Sequence, residues 1–155
     1  MGRASPADLC LERTGSTKPL GEGAIMPVKD PAAWVKNVER LYRANDADAV
    51  SALYTEDAIT IFGSRVLSPA EVHAHPKEWF ESLLEYELTR TFRAATGDVI
   101  VSETTASYIR KEDGKRYREF GVDIYWVNDE GRIYHKHTSE VVEPYDLRPL
   151  PPRKP

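Results

Sequence analysis

The sequence predicts an α+β fold, with helices first and a long antiparallel meander after them. Two observations predict it. Between residues 31 and 84, apolar side chains recur at helical spacing behind recognisable helix starts. From Tyr86 onward, β-branched and aromatic residues dominate, broken by glycine-bearing turns. A third observation sets the limits of the body. Residues 1–30 hold no Trp, Tyr or Phe but carry Gly2, Gly15, Gly21, Gly23, Pro6, Pro19 and Pro27. Such a stretch buries little apolar surface and reads as a flexible arm. Residues 144–155 carry Pro144, Pro149, Pro151, Pro152 and Pro155 and read as an extended tail. The expected domain is therefore residues 31–143.

The elements follow in order. Asp30-Pro31 pairs an N-cap with proline at the first helical position, ahead of the stripe Trp34, Val38 and Leu41 flanked by Val35 and Tyr42. Asn45-Asp46 interrupts it, and Asp46 caps a second, short helix expected to hold Val50, Leu53 and Tyr54. Ala58–Phe62 is a short strand ending at Gly63-Ser64. Ser68-Pro69-Ala70-Glu71 matches a capping box. Pro76 is expected to break or kink the helix that follows, and Trp79, Phe80, Leu83 and Leu84 continue its apolar face. Four strands are then expected at 86–95, 98–110, 116–127 and 132–142. Their turns are Thr96-Gly97, Glu112-Asp113-Gly114 and Asp129-Glu130-Gly131.

Composition excludes several classes of function. Of 155 residues, 21 are Lys or Arg and 25 are Asp or Glu, a net charge of −4 without the basic excess of a nucleic-acid binder. Cys10 alone supports neither a disulfide framework nor a cysteine metal cage. No apolar run approaches the roughly 20 residues of a membrane span, and Ala7–Leu11 is too short and polar for a secretory core. The expected setting is cytoplasmic.

Several motifs carry a resemblance. They are a helix ending near Tyr42, the step Leu53-Tyr54-x-x-Asp57-Ala58 into a strand, and Asp123-Ile124-Tyr125-Trp126-Val127 leading through Gly131-Arg132-Ile133. This order resembles the nuclear transport factor 2-like superfamily, in particular the SnoaL-like polyketide cyclases. Lys77-Glu78-Trp79 and Tyr86-Glu87-Leu88 are similar to a run in a bacterial branch of that superfamily. The resemblance implies a cystatin-like roll: a cone-shaped, curved antiparallel sheet wrapped around N-terminal helices. It also implies cofactor-free chemistry such as isomerisation, aldol cyclisation, dehydration or epoxide hydrolysis. Fold membership leaves the reaction open.

Turn lengths give a strand register, and with it a candidate site. With three-residue loops at 112–114 and 129–131 and a two-residue loop at 96–97, Arg90 faces Glu103, Glu103 faces Asp123, Asp123 faces His137 and Tyr125 faces His135. Periodicity alone would bury the alternate residues Phe120, Val122, Ile124 and Trp126 and leave this polar row in water. The resemblance implies the reverse: Asp123, Tyr125 and Val127 point inward, and the Phe120/Val122/Ile124/Trp126 face pairs two copies of the chain as a homodimer. That placement is adopted.

In an enclosed pocket, burial and Glu103 would raise the Asp123 carboxyl toward neutrality, as suits a general acid or base. The family's cyclases use an aspartate on this strand as acid/base, and Asp123 occupies the matching position. His137 is expected as its partner and Tyr125 as a hydrogen-bond donor to developing charge. Arg90, Glu103, His135, Trp79, Phe62 and Tyr54 are expected to line the pocket. The paired aspartates of the epoxide-hydrolysing members and the Tyr-Asp pair of the steroid isomerases are not found on matching strands. His73 and His75, two apart on a helix, do not share a face with which to hold a metal, and no metal or other cofactor is expected. The substrate expected is a small apolar metabolite with a carbonyl or hydroxyl; the alternative is a non-catalytic ligand-binding or dimerisation module of the same fold.

Overall fold

The computed structural model describes residues 28–145. The proposed arm and tail therefore fall almost wholly outside the described residues. Three helices precede or interrupt a six-stranded sheet: α1 (Pro31–Arg43), α2 (Ala47–Ser51), β1 (Tyr54–Phe62), β2 (Arg65–Leu67), α3 (Pro69–Ser82), β3 (Leu83–Thr96), β4 (Val99–Arg110), β5 (Arg116–Val127) and β6 (Ile133–Pro144). The sheet order is β2-β1-β6-β5-β4-β3. All neighbours are antiparallel except β1 and β6, which run parallel. The result is the expected α+β architecture, a curved open sheet with its helices on the N-terminal side.

The helix starts form as their residues dictate. Asp30 accepts from the Ala33 amide at 2.9 Å and Asp46 from the Ala49 amide at 3.0 Å. Glu71 reaches back to the Ser68 amide at 2.8 Å, the return half of the capping box. Two helix expectations need correction. Tyr54 opens β1 rather than closing α2, because pairing with Ile133 of β6 overrides local preference. Pro76 lies inside α3, which runs through it unbroken; the proline is itself buried.

The inner face of the sheet carries two apolar layers. One gathers Val35, Tyr54, Ile100, Tyr125, Val127 and Ile133; the other gathers Leu83, Leu88, Ala106 and Tyr108. Each fully buried large side chain contributes about 1.5–3 kcal/mol of burial. Along β4 the buried Ser102 and Thr104 stand between Ile100 of the first layer and Ala106 of the second. The sheet is thus built with a polar belt between two oily layers.

At the level of Arg90 and Asp123 each strand pair is one residue off the expected register, for identifiable reasons. The β3–β4 turn is Gly97-Asp98, with Thr96 opposite Val99, and an irregularity between Phe92 and Ala94 sets Arg90 opposite Thr104. The β4–β5 loop begins one residue earlier, closing Arg110 on Lys115, so Asp123 faces Ser102. The β5–β6 turn is as expected, with the Asn128 amide donating to the Arg132 carbonyl at 2.8 Å. A bulge immediately beyond it then places Trp126 opposite His135 and Asp123 opposite Thr138.

A one-residue slip flips a strand's faces. The first two slips cancel, so Arg90 and Asp123 still share the inner face. The third does not cancel. Lys136 and Thr138 therefore turn inward, and His135 and His137 turn outward.

Candidate functional site

The polar belt is centred on Asp123, which is 2% exposed. Its Oδ2 accepts from Arg90 Nη1 and from the Thr104 hydroxyl at 2.7 Å. Its Oδ1 accepts from the Thr138 hydroxyl at 2.6 Å and lies 3.0 Å from Lys136 Nζ. A carboxylate offers about four acceptor positions, and all are taken. Arg90 Nη1 also donates to the Tyr125 hydroxyl at 2.6 Å, and the guanidinium lies 4.8 Å from the centre of the Tyr42 ring.

Helix α1 fixes the strand that carries Arg90. Glu39 accepts from the Arg90 amide at 2.5 Å, and Lys36 donates to the Arg90 carbonyl at 3.0 Å. Since β3 is an edge strand, these contacts also occupy backbone groups that would otherwise be free to pair elsewhere.

Above the belt lies a cavity of about 200 Å³. Aromatic walls come from Tyr42, Phe62, His75, Trp79 and Tyr86; polar groups come from Arg90, Asp123, Lys136, Thr138, Glu119 and Glu140. His75 packs between Phe62 at 5.4 Å and Trp79 at 6.2 Å, measured between ring centres. A second histidine, His73, locks α3 to its neighbours, meeting the Ser51 hydroxyl at 2.8 Å and the Thr55 carbonyl at 3.1 Å.

The electrostatics overturn one expectation. Burial by itself would raise the Asp123 carboxyl, but Arg90, Lys136 and the hydroxyls of Thr138 and Thr104 outweigh it. They hold Asp123 well below the usual carboxylate range. Conversely, burial would lower Arg90 and Lys136, but the Asp123 carboxylate keeps both protonated. The group poised near neutrality is Glu119. Burial, reinforced by nearby Glu140, pushes it up to about 7. Burial, aided by the charges of Lys136 and Arg65, pushes His75 down to about 4, so its imidazole is neutral at pH 7.

The expected site residues divide accordingly. Arg90, Asp123, Trp79 and Phe62 meet at the cavity, and Tyr125 lies behind it, bonded to Arg90. Tyr54 is buried in the core and does not line the cavity. Three residues stand on the other face of the sheet. Glu103 pairs with Arg93 in solvent, His135 packs on Trp126 at 4.8 Å, and His137 faces Ile124. The Asp123–His137, Asp123–Glu103 and Arg90–Glu103 pairs are therefore not formed.

Glu119, Lys136, Thr138 and His75 are the additions. Glu119 was accessible to sequence reasoning, being two steps of two residues from Asp123 on the same strand. Lys136 and Thr138 were hidden by the β5–β6 bulge. Among the described residues, no cluster of three or more His, Cys, Asp or Glu side chains is arranged to hold a metal. No helix among them is long and apolar enough to cross a membrane.

Comparison with known proteins agrees with the fold. A family model described as a SnoaL-like domain matches residues 35–136. One similar solved structure is SalBIII, an epoxide hydrolase/cyclase-like enzyme with a role in pyran ring formation in the polyether salinomycin. It is 17% identical with a TM-score of 0.65, over 74% of this chain and 95% of that one. Another is a Bacillus subtilis protein assigned as an isomerase, 16% identical with a TM-score of 0.60, over 72% of this chain and 86% of that one. No curated protein matches in sequence. At these identities the structural likeness speaks for the fold alone.

Proposed function

The chain belongs to the SnoaL-like family of the nuclear transport factor 2-like superfamily, and from that premise we propose a cofactor-independent enzyme that moves a proton beside a carbonyl group. Isomerases, cyclases and dehydratases of this kind share that step. The observation that carries the reading is the meeting, in one aromatic cavity, of a carboxyl poised near pH 7 with two fixed cations. The substrate is a small, largely apolar carbonyl or hydroxyl metabolite.

The roles follow from position. The Glu119 carboxylate takes the proton from carbon, and the C–H electron pair passes into the carbonyl to form an enolate. Negative charge thus moves from Glu119 to the substrate oxygen. Lys136 and Arg90 face that oxygen as preorganised cations, with no reorganisation needed when charge develops. Glu119 returns the proton at a second carbon to complete an isomerisation. Asp123 keeps a role, though not as the titrating group: it holds the two cations in place. Tyr125 positions Arg90 through its hydroxyl. Neutral His75 is a hydrogen-bonding group for the far side of the substrate.

The same reading takes the cytoplasm as its compartment and a second copy of the chain as its protein partner. Support for that partner is the outer sheet face, where Phe120, Val122 and Val141 are exposed at 46%, 40% and 64%.

Enolisation can be tested without knowing the substrate. The full chain in deuterium oxide, with a panel of aryl ketones such as phenylacetone, should speed the loss of the α-proton NMR signal over buffer at equal pH. Glu119→Gln should reduce the enzymatic rate by roughly 10²–10⁴-fold. No acceleration for any member of the panel, or an unchanged rate in Glu119→Gln, overturns the proposal.

A further inference from the structure

Among the described residues, three charged side chains are fully buried: Arg90 at 4%, Lys136 at 3% and Asp123 at 2% exposure. Two are cations and one is an anion, so these three groups together carry one positive charge in excess. A buried charge without a partner is costly, and native structures seldom leave one uncompensated. Asp123 cannot supply more compensation, because its acceptor positions are full. Lys136 has three N–H donors, and among the described residues its one salt-bridge partner is Asp123. What remains is the ring faces of Phe62 at 5.4 Å and Tyr125 at 5.7 Å from its Nζ. These offer a weak substitute for an oxygen ligand. Among the described residues the buried Arg90 Nε also has no hydrogen-bond partner.

The walls restrict what can supply the missing oxygen. Phe62, His75 and Trp79 stand in sequence across the cavity, with His75 and Trp79 inclined by only 25°. Tyr42 and Tyr86 face them from α1 and β3. Such walls accept a flat skeleton by stacking. Carboxyl groups of Glu119 and Glu140 also line the cavity, and they disfavour a second anionic group on the same ligand.

We propose that the cavity takes a flat, singly anionic ligand whose charge lies on oxygen (an enolate, a phenolate or an unsaturated carboxylate), with that oxygen seated against Lys136. This deepens the proton-transfer reading, since it rests on the same cavity as the ligand site and names the anionic form, the enolate in the proposed step, that the floor holds.

Binding of 4-nitrophenol to the full chain tests it, because the absorbance of this probe reports its ionisation and it titrates near neutral pH. Bound probe should ionise at least about one pH unit lower than free probe, a tenfold preference for the anion. The uncharged analogue 4-nitroanisole should bind at least about tenfold more weakly than the phenolate. Lys136→Met keeps the length of the stem and leaves Arg90 paired with Asp123, so it should fold. It should abolish the shift in ionisation while leaving 4-nitroanisole binding unchanged. An unchanged or raised ionisation point of the bound probe, equal binding of both probes, no binding at millimolar concentration, or a shift that survives Lys136→Met overturns the proposal. Glu119→Gln separates the two readings. If it keeps phenolate selectivity and the wild type never accelerates α-proton exchange, the acid–base reading falls and the anion site stands.

Discussion

Asp123 and Glu119 lie four residues apart on one strand, yet their environments drive them in opposite directions. Asp123 is surrounded by two cations and two hydroxyls, and is held as a carboxylate. Glu119 has burial and a second carboxyl for company, and is pushed up to about 7. Two groups whose environments separate their protonation in this way are suited to different tasks, one to fixing charge and the other to moving protons. Linkage then gives a prediction. Folded Glu119 keeps its proton up to about pH 7, whereas the unfolded residue loses it near 4.5, so its contribution to stability falls as pH rises between these values. His75 acts the other way: it protonates near 6.5 when unfolded but near 4 when folded, so its contribution falls as pH drops through that window. Between pH 4.5 and 6.5 the two slopes oppose each other. Urea unfolding across this range should show Glu119→Gln gaining stability with pH relative to wild type, and His75→Asn losing it. Parallel curves for all three proteins would contradict the assigned environments.

Helix starts were legible in the sequence because a cap is local. Asp30, Asp46 and Ser68 with Glu71 each act within three residues. Strand existence was also legible, since period-two patterns and turn glycines are local signals. Register was not. The β5–β6 turn forms as its residues predict, and one extra residue just beyond it exchanges His135 and His137 for Lys136 and Thr138. A bulge leaves no compositional trace; it is selected by what the two faces can bury. Imidazoles of His137 and His135 facing Asp123 and Tyr125 are chemically reasonable from the sequence, but a lysine and a threonine complete the carboxylate's bonds.

Strand β5 also shows where pairing is under tight constraint. A Cβ at Gly121 would stand 3.1 Å from the Ser139 carbonyl oxygen and 3.2 Å from Glu140 Cβ on β6. Gly121→Ala should therefore force β5 and β6 apart two residues from Asp123, at a cost of about 1–3 kcal/mol. Urea denaturation should record that loss, and a variant as stable as wild type would show that the strands give way freely.

At the scale of the whole molecule, the parallel β1–β6 pairing brings Tyr54–Phe62 beside the last strand and places Phe62 at the cavity. No short-range pattern announces it, because β1 and β6 are separated by the whole meander. The inward turn of Asp123 and Tyr125 has an equal consequence outside. Alternate positions carry Phe120, Val122, Ile124 and Trp126 onto the other face, with Ile59 and Val141 beside them. Alternation would normally bury the more apolar face of a strand. Here that face stays outside, which is stable in water when a second copy covers it. Val122 is 40% exposed and lies opposite Glu103, which already pairs with Arg93, so Val122→Arg adds a charge on the solvent-facing side and should leave the fold intact. If the face joins two copies, wild type should run at the dimer mass in light scattering, and Val122→Arg at the monomer mass with unchanged circular dichroism. A monomeric wild type at micromolar concentration, or a Val122→Arg dimer, would assign the apolar face to something other than self-association.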